Sequence, residues 1–174
     1  FGAAGTRAYP RFNASRPSLF NPFYPTIPNP TAGALSDGMF TRCKAYGMSD
    51  AVDGTSNTLL LGERSYFDKV FDTSPIVDDR IKDWGWQWFG AEGDSMLGTG
   101  VPINFVLPTN FDTLGSGVQQ LLFDDRINAF GSMHSGGANF ALADGSVRFM
   151  TQNISPVIFR AVGTRAGAEV VGDF

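Results

Sequence analysis

Cysteine and histidine are almost missing: Cys43 and His134 each stand alone in 174 residues. A single thiol has no partner for an intramolecular disulfide and cannot build a thiolate zinc site. Cys43 therefore reads as a small, half-buried side chain. Charge is thin as well, at 17% of residues, with 13 basic against 17 acidic side chains. The net charge of −4 and the scatter of the basic residues exclude nucleic acid as the main partner. No run of about 18 apolar residues occurs, so nothing in this chain is expected to span a membrane. The opening FGAAGTRAYP shows neither an initiator Met nor a signal-peptide pattern. That is expected of a chain that starts after processing or belongs to a longer precursor.

What is present leans towards strands and loops. There are 21 Gly, 10 Pro and 16 Phe, and the helix-breaking residues are spread along the chain. The 43% apolar fraction is ordinary, and the length suits one domain with a real core. Residues 1–34 hold six prolines, from Pro10 to Pro30, among Phe12, Phe20, Phe23 and Tyr24. Such a segment is expected to be an extended arm packed on a surface, and residues 35–174 a single β-rich domain.

Within that domain, LSDGMFTRC (35–43) reads as a turn and a short strand. The run Leu59-Leu60-Leu61 after Asp53-Gly54 reads as a buried strand or a short helix. WGWQWFG (84–90) alternates Trp84, Trp86 and Trp88 on one face, which is strand periodicity. Residues 91–117 look like loop. NFALADGSVRFM (139–150) predicts a hairpin, with Asp144-Gly145 in a two-residue type I′ turn. ISPVIFRAVGTRAG then predicts a short helix with Ser155 as N-cap, Pro156 at its first position, and Gly163 or Gly167 at its end. Val157, Ile158, Ala161 and Val162 would form its inner face, and AEVV a last short strand.

The chemistry-bearing constellations are few. His134 and Asp144 would have to approach within a few ångströms to bind a metal or relay a proton. A strand over 139–143 alone separates its ends by roughly 16 Å, so a direct pair is not expected. Gly136 and Gly137 then supply a bend, and Asp144-Gly145 a turn. Loop aspartates (Asp78, Asp79, Asp124 and Asp125) are weak calcium candidates, although no D-x-D-x-D-G loop is present. Ser132 and Ser135 flank the histidine, but there is no G-x-S-x-G and no H-E-x-x-H, so catalysis is not expected. The Trp84, Trp86 and Trp88 face suits stacking on sugar rings or a subunit contact.

Four stretches together resemble one family. They are DGMF (37–40), DGTSNTLLLGER (53–64), the His134-to-Asp144-Gly145 spacing with nine residues between, and FRAVGTRAGAEVVGDF (159–174). This resembles the H-X9-DG signature of the DUF1559 family, prepilin-like proteins abundant in planctomycete bacteria. Its signature positions here are His134, Gly136, Gly137, Asp144 and Gly145, with Asp53, Gly54, Asn57 and Glu63 from the earlier stretch. The resemblance is carried by residues 35–67 and 130–174 and hardly by the middle.

The resemblance implies a pilin-like or pseudopilin-like α+β domain, mainly antiparallel sheet with a short C-terminal helix. It implies export to the cell surface or beyond, on a hydrophobic N-terminal helix that this chain does not contain. The expected role is a non-catalytic structural subunit of a pilus-like, pseudopilus-like or other surface assembly. Self-association or other pilin-like subunits are the expected partners. No cofactor is required, and calcium is compatible with the role. The alternatives are an extracellular carbohydrate-binding module and a metal-dependent enzyme.

Overall fold

The computed structural model describes residues 1–6, 37–41, 44–65, 67–77, 96–169 and 174. Their centre is a five-stranded mixed sheet of β1 (Gly2–Ala3), β2 (Leu59–Gly62), β3 (Met96–Leu97), β4 (Gly137–Leu142) and β5 (Val147–Thr151). The spatial order is β3-β1-β2-β4-β5. Pairing is antiparallel except between β1 and β3, where Gly2 aligns with Met96 and Ala3 with Leu97. Three helices accompany the sheet: α1 (Lys69–Thr73), α2 (Ser116–Asn128) and α3 (Pro156–Gly163). The fold is therefore α+β, as expected. No helix among the described residues is long and apolar enough to cross a membrane.

The period-2 pattern of β4 decides the two faces of the sheet. Ala138, Phe140 and Leu142 are buried, whereas Asn139 and Ala141 point the other way and are partly exposed. The inner residues join Ala3, Leu59, Leu97, Phe130 and Met150 in the main core, which Phe159 and Val162 of α3 close from above. Phe130, Phe140 and Phe159 meet edge to face, with centroids 5.2 to 6.4 Å apart. That geometry sets the positive rim of one ring against the negative face of the next. A second core gathers Phe71, Val77, Leu107, Phe111 and Phe123 around α1 and α2.

The hairpin between β4 and β5 is present, but its turn differs from expectation. Leu142 N donates to Ser146 O at 2.8 Å, and Gly145 N donates to Leu142 O at 3.0 Å. The loop is thus three residues, with only Gly145 in the left-handed region at φ 87°. A type I′ turn needs positive φ at both central residues, and Asp144 does not have it. Its carboxylate instead accepts from Ser146 N and Oγ, at 2.9 and 2.6 Å, which favours the longer loop with a glycine bulge.

Other expectations are corrected as well. The segment predicted as an arm begins inside the sheet: Gly2–Ala3 is β1, and Ala3 and Ala4 are fully buried. A truncation of residues 1–30 would remove this strand. Residues 7–34 lie outside the described residues, as do Cys43, the Trp84 to Phe89 stretch and residues 170–171 of the predicted AEVV strand. Asp37 to Phe40 form no strand, yet Gly38 N and Phe40 N donate to Ala4 O and Ala3 O. The run Leu59-Leu60-Leu61 is a strand, but only Leu59 is buried in it and Leu61 is 42% exposed. Residues 116–128 are helix, where loop had been expected up to 117 and no helix beyond. The inner face of α3 is carried by Phe159, Ala161 and Val162, while Val157 is 76% exposed.

Candidate functional site

Glu63 leaves the end of β2 and reaches across to β4. Its carboxylate accepts from Asn139 N at 2.8 Å and, more loosely, from Asn139 Nδ2 at 3.3 and 3.4 Å. Its backbone carbonyl accepts from Gly131 N at 3.0 Å. Gly131 begins the segment that brings His134 to the same corner, where Nε2 stands 3.5 Å from Glu63 Oε1. The imidazole is 60% exposed and the carboxylate 36%. Burial works to raise the Glu63 pKa. Hydrogen bonds from the Asn139 backbone, Ser132 and the Asn139 side chain, with the nearby His134, outweigh it and hold the carboxyl below its usual range.

The His134 segment is fixed from both sides. Ser132 N donates to Asn104 Oδ1 at 2.7 Å, and His134 N to Ser132 Oγ at 3.2 Å. Asn104 holds φ 62°, a conformation its short amide side chain tolerates better than most. Gly136 then turns the chain at φ 81° into β4. A Cβ at Gly137 would collide with Met150 O and the Phe149 ring, so the close approach of β5 there requires glycine. Beside this corner runs a shallow groove walled by Ser65, Phe67, Val106 and Met133. Beneath it Asp68 caps α1 through Oδ1 while Oδ2 accepts from Leu107 N and, at 2.8 Å, Arg126 Nε.

Asp144 has a different neighbourhood. Ser146, through its hydroxyl and its amide, holds this exposed carboxyl below its usual range. Asp144 N and Ala143 N donate to Thr55 O and Thr58 O, docking the hairpin tip on the loop after Asp53. That loop is shaped by Gly54 at φ 96°, with Asn57 Nδ2 bonded to Asp53 O and Thr58 Oγ1 to Gly54 O. The Asp53 carboxylate accepts from Gly167 N and Ala168 N, at 2.7 and 2.9 Å. Next to it, Arg165 donates to Gly38 O and stacks 3.8 Å over Tyr46. Hence His134 and Asp144 sit in separate networks at opposite ends of β4. The described parts of all four stretches that carried the family resemblance interlock around the sheet.

The remaining predicted positions divide simply. Trp84, Trp86, Trp88, Asp78 and Asp79 lie outside the described residues. Asp124 and Asp125 are in α2 rather than a loop, and Asp124 is buried with Gln120 Nε2 bonded to it at 2.9 Å. Among the described residues no three His, Cys, Asp or Glu side chains gather as a metal site. Asn139, Asn104, Asp68 and Arg126 were missed by sequence reasoning, and Ser132 was noted only as a neighbour of His134. Asp68, an acid two residues before an apolar Val70-Phe71 pair, carried a readable N-cap signal. The others had none, since their partners are remote in sequence.

An α+β domain whose motif stretches converge on one sheet, and whose one histidine meets an acid at the sheet's corner, is the class that the fold and site define. The family model described as "Protein of unknown function (DUF1559)" matches residues 5–156, and the chain belongs to that family. No curated protein and no solved structure matches it.

Proposed function

We propose that the chain is the non-catalytic globular part of an exported subunit, working in a pilus-like, pseudopilus-like or other cell-surface assembly. The observation that supports this best is the outer face of the sheet. The register puts Leu61, Ala141 and Val147 in one row across three strands, with Asn139 and Phe149 in the next. Leu61, Val147 and Phe149 are 42%, 67% and 52% exposed, an apolar face of the kind that marks contact surfaces. The arm and the Trp84 to Phe89 stretch remain proposed contacts on sequence grounds. Carbohydrate binding would rest on Trp84, Trp86 and Trp88, and is tested by glycan binding of Trp86→Ala.

Electron microscopy of the native material, alongside a Phe149→Asp variant, tests the assembly. Polymers are expected from the natural protein and their loss in the variant, with circular dichroism unchanged. Dispersed single particles in the native material, or normal polymers from the variant, would sink the idea.

A further inference from the structure

We propose that Met133 is the methionine at which a peroxide modifies this chain, and that its sulfoxide fastens the His134 segment to Ser65. The five methionines differ sharply in access. Met133 is 80% exposed and Met48 51%, whereas Met39, Met96 and Met150 are buried. A peroxide oxygen has to reach the thioether from solvent, so burial shields three of the five and leaves Met133 foremost. Its sulfur also stands at a donor. Ser65 Oγ donates to Met133 Sδ at 3.7 Å, across 68 residues of sequence. The same Oγ accepts from Phe67 N at 3.3 Å, and Ser65 O accepts from Arg126 Nη2 at 3.2 Å, so the hydroxyl sits on an anchored backbone.

The sulfur lone pair attacks one peroxide oxygen, the O–O bond breaks, an S–O bond forms, and the other oxygen leaves as water. Sulfur is oxidised and the peroxide is reduced. A thioether sulfur is a weak acceptor, whereas the product is polar and carries its acceptor on oxygen. That oxygen comes within reach of the Ser65 hydroxyl. A loose O–H···S contact is then exchanged for an O–H···O bond of about 2.7–2.8 Å. The segment is already tied to Asn104 through Ser132 N, and His134 N to Ser132 Oγ. The new bond ties it to the chain leaving β2 as well. In the groove beside the corner, the apolar wall of Phe67, Val106 and Met133 becomes polar on one side.

Graded hydrogen peroxide treatment of the purified chain tests the site, with each methionine read on its own peptide by mass spectrometry. Met133 is expected to gain oxygen first, Met48 next, and Met39, Met96 and Met150 only once the chain unfolds. Modification of Met48 or of a buried methionine before Met133 would overturn it. Amide hydrogen exchange of the protein oxidised at Met133 tests the fastening. The Ser132 and His134 amides should exchange about fivefold more slowly than before treatment, the factor given by a net hydrogen bond of about 1 kcal/mol. Ser65→Ala should still be oxidised at Met133 but show no slowing, and Met133→Leu should show neither change. Unaltered or faster exchange in the oxidised natural protein, or equal slowing in Ser65→Ala, would rule out the fastening.

Discussion

Glu63 is the residue on which most of the corner depends, because it ties β2 to β4 and to the His134 segment together. Its folded pKa lies below the usual value, so its ionised form is favoured by folding. The resulting stability is present above the unfolded carboxyl value of about 4.3 and is lost as the pH falls through the folded value. Thermal melts of the natural protein should therefore decline across that acid window. Glu63→Gln should show a flatter profile; an equal slope in the two proteins would assign the acid sensitivity to other carboxylates. The sequence marked Glu63 as part of a motif but concealed what it holds. Asn139 lies 76 residues away, and no local pattern announces so distant a hydrogen bond.

Among the elements, α3 and α2 show why one helix was legible and another was not. Helix α3 has a proline at its first position and apolar residues grouped on one side, and its bounds follow from these signals. Its inner face matches expectation at Ala161 and Val162, but Val157 in the first turn is exposed and Phe159 reaches the core. Phe159→Ala should cost about 3–5 kcal/mol, while Val157→Ala should change stability by no more than about 0.5 kcal/mol. Urea unfolding distinguishes the two, and comparable losses would place the helix in a different rotation.

Helix α2 blurs the ordinary pattern. Asp124, Arg126 and Asn128 are buried beside Phe123, while Val118 and Leu121 are exposed. Each buried polar side chain is satisfied: Asp124 by Gln120, Asn128 by the Asp124 carbonyl, and Arg126 by Asp68. An apolar stripe therefore could not betray the helix. Gly115 and Gly117 at its start, with no side-chain cap, removed the other local signal.

Across the whole molecule, the sheet joins pieces of chain that are close in space and very unequal in sequence distance. Strands β4 and β5 are a local hairpin of five aligned pairs. By contrast, β1 pairs with residue 61 on one side and with residues 96 and 97 on the other. Closing loops of that length is entropically costly before any contact repays it, whereas the hairpin turn closes cheaply. The β3-β1 side of the finished sheet should thus be among its last parts to form. Folding would begin at the edge, with β4 and β5, and end when Gly2–Ala3 adds to β2 and β3 pairs on its far side. Pulse-labelled hydrogen exchange during refolding should find the Arg148 and Met150 amides, which face β4, protected before those of Ala3 and Ala4, and the reverse order would refute this. In the interval the unpaired edge of β2 leaves its backbone groups open to any passing strand. A chain waiting in that state is most exposed to pairing with a neighbour instead of with itself.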